Sequence, residues 1–154
     1  MKPPAWRLER GVYPFATEIQ TRYRDEDMLR HVNNMAIAGY YDEARNRFSQ
    51  AIFKAAGDLT GTRLVNVENS VNFLAEVYHP DTVTVGSGIL SLSTSAYVIG
   101  QALFQKGHCV GTCSTVFVRA SRSRGTSPLP DNLRAALEGF RLLTPDSVAP
   151  GDPA

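Results

Sequence analysis

The chain is 154 residues long, 43% hydrophobic and 20% charged, which suits one domain with a real core. Its 16 basic and 15 acidic side chains nearly cancel, so no global field favours nucleic acid and any charge argument must be local. No apolar run approaches the ~20 residues of a membrane span and MKPPAWRLER has no signal-peptide core, so the expectation is a soluble, cytoplasmic protein with neither nucleic-acid nor membrane partners.

Residues 1–13 read as an N-terminal extension, 14–143 as a single domain, and 144–154, rich in Pro and Gly, as a flexible tail. The domain opens on a strand over 15–23, where Phe15, Thr17, Ile19, Thr21 and Tyr23 recur at period two. Charge interrupts the pattern over 24–33. From Asn34 the period lengthens: Ala38, Tyr41, Arg45, Phe48, Ile52 and Ala55 fall at helical spacing and Gly57 supplies a C-terminal stop. At 1.5 Å per residue this helix is ~33 Å long, enough to cross a sheet.

Four extended segments follow, at 64–74, 82–92, 96–106 and 109–119, with turns at His79-Pro80-Asp81, Ser93 to Ser95 and Lys106-Gly107. Short connections favour antiparallel neighbours. A brief final helix follows Pro130-Asp131, with Leu133, Leu137 and Phe140 on one side. The fold class is therefore α+β: a five-stranded antiparallel sheet wrapped around one long central helix, plus a short C-terminal helix. Segment 96–104 is apolar at nearly every position, which predicts burial on both faces. One helix cannot cover both, so either a second subunit or the chain's own irregular loops must cover the other face; the former predicts a homodimer or homotetramer. Cys109 and Cys113 lie too far apart along a strand to pair, and read as reduced packing residues.

The chemistry concentrates in Arg22–Asn34, RYRDEDMLRHVNN, at the entry to the long helix. Asn33 and Asn34 stand where a side-chain oxygen can cap the helix and where unpaired first-turn amides can face an anion. His31 can polarise a carbonyl or order the loop, and an imidazole–carboxylate contact with Asp27 is plausible from their spacing. Asp25 reads as a solvated loop charge. Glu43 and Arg45 read as a helix-surface or interface ion pair. His79 and His108 are scattered without ligand spacing, so neither a metal nor a cofactor is expected. Arg119, Arg122 and Arg124, in the Ser-rich VRASRSRG, could hold phosphates or lie solvated, with Lys106 and Arg63 weaker candidates.

Asp25 to Asn34, followed by Tyr40, Glu43, Ala44 and Arg45, resembles the D-x-D-x-x-G-H-V-N-N…Y-x-x-x-x-E-x-A-R signature of hotdog-fold acyl thioesterases, the 4-hydroxybenzoyl-CoA thioesterase-like branch in particular; plant acyl-carrier-protein thioesterases are similar too. The resemblance spans about 14–135 and implies hydrolysis of an acyl-CoA, or of an acyl-carrier-protein thioester, with coenzyme A entering only as part of the substrate. It implies Asp27 as general base or nucleophile, with His31, Asn33 and Asn34 beside it. For substrate binding the candidates are Tyr41 on the helix, Thr94 and Ser95 at the turn before the fourth segment and, from their charge, Arg30, Arg122 and Arg124. Arg30 stands where the signature has Gly, a departure that bears on substrate more than on reaction. A hotdog hydratase is the alternative enzyme, but the Asn-Pro of its motif does not occur here; an acyl-CoA-binding module without turnover is the non-enzymatic alternative.

Overall fold

The computed structural model describes residues 2–145, so most of the stretch read as a flexible tail, 146–154, lies outside the described residues. Two short 3-10 turns, Ala5–Leu8 and Arg10–Val12, lead into strand β1 (Phe15–Ile19) and a third turn, Tyr23–Asp25. Helix α1 (Asn34–Ala56) follows, then β2 (Leu64–Phe73), β3 (Val83–Leu92), β4 (Ala96–Gln105), β5 (His108–Arg119) and α2 (Asp131–Glu138). The strands form one sheet in the order β1-β3-β4-β5-β2, antiparallel at every step.

Asn33 starts α1 with its side-chain oxygen accepting from the Met35 amide at 2.7 Å, and Gly57, at φ 87°, ends it. Between them Ile37, Tyr41, Ala44, Phe48 and Ile52 form the buried stripe, which packs on β1, β3 and β4. Two clusters result. Val83, Val85, Leu103 and Cys113 meet the N-terminal half of α1, while Ile89, Tyr97, Ile99, Leu133 and Leu137 meet Phe48 and Ile52. Burying Phe48 or Ile52 completely contributes about 1.5–3 kcal/mol each.

Strand β4 is buried on both faces, and the chain itself covers the second one. Tyr13 lies so close over Gly86 that a Cβ there would sit 2.7 Å from its ring, and Leu142 fills the space above Gly88 and Gly100. The buried Arg7 guanidinium donates to the Gln101 and Cys113 carbonyls at 3.1 and 3.0 Å and to the Ser114 hydroxyl at 2.9 Å. The extension and residues 140–143 thus cover the second face of β3 and β4. Strand β1 is also shorter than its alternation predicts. It stops at Ile19 because Thr21 turns away, its hydroxyl donating to the Asp81 carbonyl at 2.8 Å. β2 is left as an edge strand, mostly exposed and, among the described residues, unpaired on its outer side.

Candidate active site

The loop before α1 is a miniature hairpin. Glu26 and Val32 form an antiparallel bridge, the Asp27 amide donates to the His31 carbonyl at 3.2 Å, and the Arg30 amide donates to the Asp27 carbonyl at 3.0 Å. Closing so tight a turn places Arg30 at φ 62°, in the left-handed region. At the turn's first position the Asp27 carboxylate is held by two donors: the Leu29 amide at 2.9 Å and, more loosely, the Asn33 side-chain amide at 3.4 Å. It stays half-buried.

Asp25 is not the solvated charge its position suggested. It is 6% exposed, and it accepts from the Tyr40 hydroxyl at 2.6 Å and the Arg22 amide at 2.9 Å, with the Arg22 guanidinium 3.5 Å away. Burial alone would push this carboxyl up, but the Tyr40 hydroxyl and the Arg22 contacts together hold it below the usual carboxylate range. Its backbone carbonyl accepts from the Asn33 amide at 2.8 Å, and the Val32 amide donates to the Val77 carbonyl at 2.7 Å. Asp25 anchors the loop to the helix; Asp27, two residues on, is the carboxylate left available.

In the first turn of α1 the Asn33 side chain takes the Met35 amide and the Asn33 carbonyl takes that of Ile37, leaving the amides of Asn34 and Ala36 without an internal acceptor among the described residues. His31 faces its own carbonyl neighbour and Glu76, not Asp27: Nδ1 lies 3.4 Å from the Val32 carbonyl and Nε2 3.8 Å from the Glu76 carboxylate. His31, Val32, Asn34 and Ile37 then form one wall of a cleft of about 240 Å³, closed opposite by Phe73 to Val77. A larger cleft of about 430 Å³ on the β1 side is lined by Glu18, Arg22, Ala36, Glu43 and Arg47; the smaller one takes in His31 and Asn34, and Asp27 lines neither.

The other expected residues lie elsewhere. Tyr41 is fully buried, its hydroxyl unpartnered against Gly111, and it lines neither cleft. Thr94 and Ser95 sit at the opposite end of the sheet, their carbonyls accepting from Leu129, Arg134 and Arg119, and exposed Arg122 and Arg124 follow β5 at that same end. Within one chain they do not meet Asp27. Glu43 and Arg45 do not pair with each other: Glu43 takes Arg47 at 2.7 Å, while buried Arg45 takes Asp42 at 2.8 Å and the Thr115 hydroxyl at 3.1 Å. Lys106 pairs with Asp81 at 3.2 Å, and His79 lies 3.3 Å from the Thr21 hydroxyl. Among the described residues no His, Cys, Asp and Glu group is arranged to hold a metal. Glu76 and the Phe73–Leu74 wall escaped sequence reading, because tertiary contacts such as Val32–Val77 and His31–Glu76 bring that segment to the helix.

A held carboxylate, unclaimed helix amides and an adjacent apolar cleft are the parts needed to activate water at a carbonyl and stabilise the resulting oxyanion. The family model of the Thioesterase-like superfamily matches residues 21–137. A thioesterase from Thermus thermophilus, solved with coenzyme A and Zn, is 26% identical with a TM-score of 0.71, over 83% of this chain and 94% of that one. A predicted thioesterase from Bacillus stearothermophilus (23% identity, TM-score 0.72, 82% and 96% covered) shares the fold. So does a 1,4-dihydroxy-2-naphthoyl-CoA thioesterase from Synechocystis (20%, 0.68, 80% and 94%). No curated protein matches. The chain belongs to the Thioesterase-like superfamily, and its fold is the hotdog fold.

Proposed function

We propose that this member of the Thioesterase-like superfamily hydrolyses an acyl-CoA to the free acid and coenzyme A in the cytoplasm. The observation that carries the proposal is the Asp27 carboxylate, fixed by the Leu29 amide beside the unclaimed first-turn amides of α1. The coenzyme A bound to the Thermus thermophilus relative supports the choice of carrier. In the general-base route water attacks the thioester carbonyl as Asp27 takes its proton. The tetrahedral oxyanion is met by the amides of Asn34 and Ala36, the C–S bond breaks, and the thiolate leaves and takes up the proton. In the nucleophilic route the carboxylate attacks first, expels the thiolate and forms an anhydride that water then opens. A single amide donor to such an oxyanion is worth about 2.7–4 kcal/mol in other enzymes. Asn33 caps the helix and steadies Asp27, and His31 orders the cleft wall. Neither route calls for a cofactor.

The site opens beside the C-terminal end of β2, whose outer edge is unpaired. Pairing two such edges antiparallel about a two-fold axis satisfies their backbone groups and makes the working unit a homodimer, or a tetramer built from it. The same axis carries the far end of one chain, with Thr94, Ser95, Arg122 and Arg124, toward the partner's Asp27, where the two arginines hold the carrier's phosphates.

The test is a steady-state screen of short, medium, long and aromatic acyl-CoAs, together with acyl-carrier-protein thioesters, using a thiol-detecting dye. Turnover of acyl-CoAs above the uncatalysed rate is expected. Saturable binding with no turnover across the panel would replace hydrolysis with binding, and turnover confined to the carrier-protein thioesters would change the carrier.

A further inference from the structure

Among the described residues two other than glycine adopt positive φ, Arg30 at 62° and Lys106 at 49°. Lys106 has a local reason: it opens the two-residue turn between β4 and β5, is followed by Gly107, and pairs with Asp81 at 3.2 Å. Arg30 is also placed by a turn, the one its amide closes on the Asp27 carbonyl, but with no ion pair and no following glycine. Its side chain is exposed, and among the described residues no carboxylate lies within ion-pair distance and no acceptor takes its guanidinium hydrogens. A left-handed backbone disfavours any residue with a Cβ. The turn that imposes the conformation is the one that holds Asp27, since the Arg30 amide closes it on the Asp27 carbonyl. An unpaired guanidinium is thus displayed three residues from the candidate catalytic carboxylate, on a backbone better suited to glycine.

Resting on Asp27 as the reacting carboxylate, we infer that Arg30 is a specificity-determining residue: its guanidinium binds an anionic group of the incoming thioester, and that contact offsets the unfavourable backbone. The anion is either a phosphate of the carrier or a carboxylate at the far end of the acyl group.

Arg30→Gly and Arg30→Lys are compared with the unmodified chain in melting and in two kinetic ratios. The first ratio sets an acyl-CoA against the N-acetylcysteamine thioester of the same acid, which lacks phosphates. The second sets an ω-carboxylated acyl-CoA against the unsubstituted acyl-CoA of the same length. Arg30→Gly is expected to raise the melting temperature and to lower one of the ratios of kcat/KM about tenfold, with Arg30→Lys intermediate. The first ratio identifies a carrier phosphate, the second an acyl carboxylate. Both ratios unchanged, or a melting temperature that falls in Arg30→Gly, would overturn the inference. If no thioester is turned over, hydrolysis itself is refuted, and calorimetric binding of coenzyme A and of an ω-carboxylated acyl-CoA still decides the role of Arg30. Binding about tenfold weaker in Arg30→Gly supports it; equal affinity, or no binding by the unmodified chain, overturns it.

Discussion

Replacing Tyr40 with Phe removes one oxygen and tests whether Asp25 anchors the loop that carries Asp27. The phenol donates to a buried carboxylate at 2.6 Å, a charge-assisted contact, and its loss leaves Asp25 with Arg22 alone. Hydrogen bonds to charged groups contribute about 1.5–3 kcal/mol, so a loss of about 2 kcal/mol is expected at neutral pH, or roughly 4–8 °C in melting temperature for a domain of this size. The effect has a pH signature. Because the Asp25 carboxyl is held below its ordinary value in the fold, its contribution to stability is fully present above the unfolded pKa and is lost as pH falls through the folded one. The gap between Tyr40→Phe and the unmodified chain should therefore hold at pH 6–7 and narrow below about pH 4. Denaturant melts followed by circular dichroism at pH 3, 5 and 7 measure it. An equal gap at all three values, or none at pH 7, would refute the anchoring role of the Tyr40–Asp25 contact.

Other substitutions probe separate parts of the account. Asn33→Ala deletes the cap of α1 and the looser donor to Asp27, and should cost about 1 kcal/mol in denaturant melts while lowering kcat more than it raises KM. Gly86→Ala drives a Cβ against Tyr13 at 2.7–2.8 Å and should destabilise by about 1–3 kcal/mol, with hydrogen exchange rising in residues 5–13. If the proposed dimer pairs through β2, Val67→Pro at that edge should give monomers in analytical ultracentrifugation and reduce hydrolysis.

Helix α1 was legible almost to the residue, since its buried stripe, capping Asn33 and closing Gly57 are all local signals. Strands β2 to β5 fall within one residue of their expected bounds for the same reason. Reading failed where the deciding partner is distant in sequence. The alternation through Thr21 and Tyr23 suggested a longer β1, but the Asp81 carbonyl captures Thr21. Asp25 looked solvated because Tyr40 lies 15 positions on, and Arg45 looked paired to Glu43 because Thr115 and Gln101 are invisible to helical spacing. The double burial of β4 was read correctly, but its cover is Arg7, Tyr13 and Leu142, from the two ends of the described chain. At the site the Asp27 turn and the helix start were legible as a contiguous motif. The cleft's second wall, Phe73 to Val77, was not, because tertiary pairing alone delivers it.

The central claim is that Asp27 does the chemistry and Asp25 does the holding. Its most direct measurement is acyl-CoA hydrolysis by Asp27→Asn, an isosteric change that keeps a side-chain oxygen for the Leu29 amide, with circular dichroism confirming an intact fold. kcat/KM is expected to fall about 10²–10⁴-fold with little change in melting temperature. A repurified Asp27→Asn protein that hydrolyses the same thioester at the unmodified rate would contradict it.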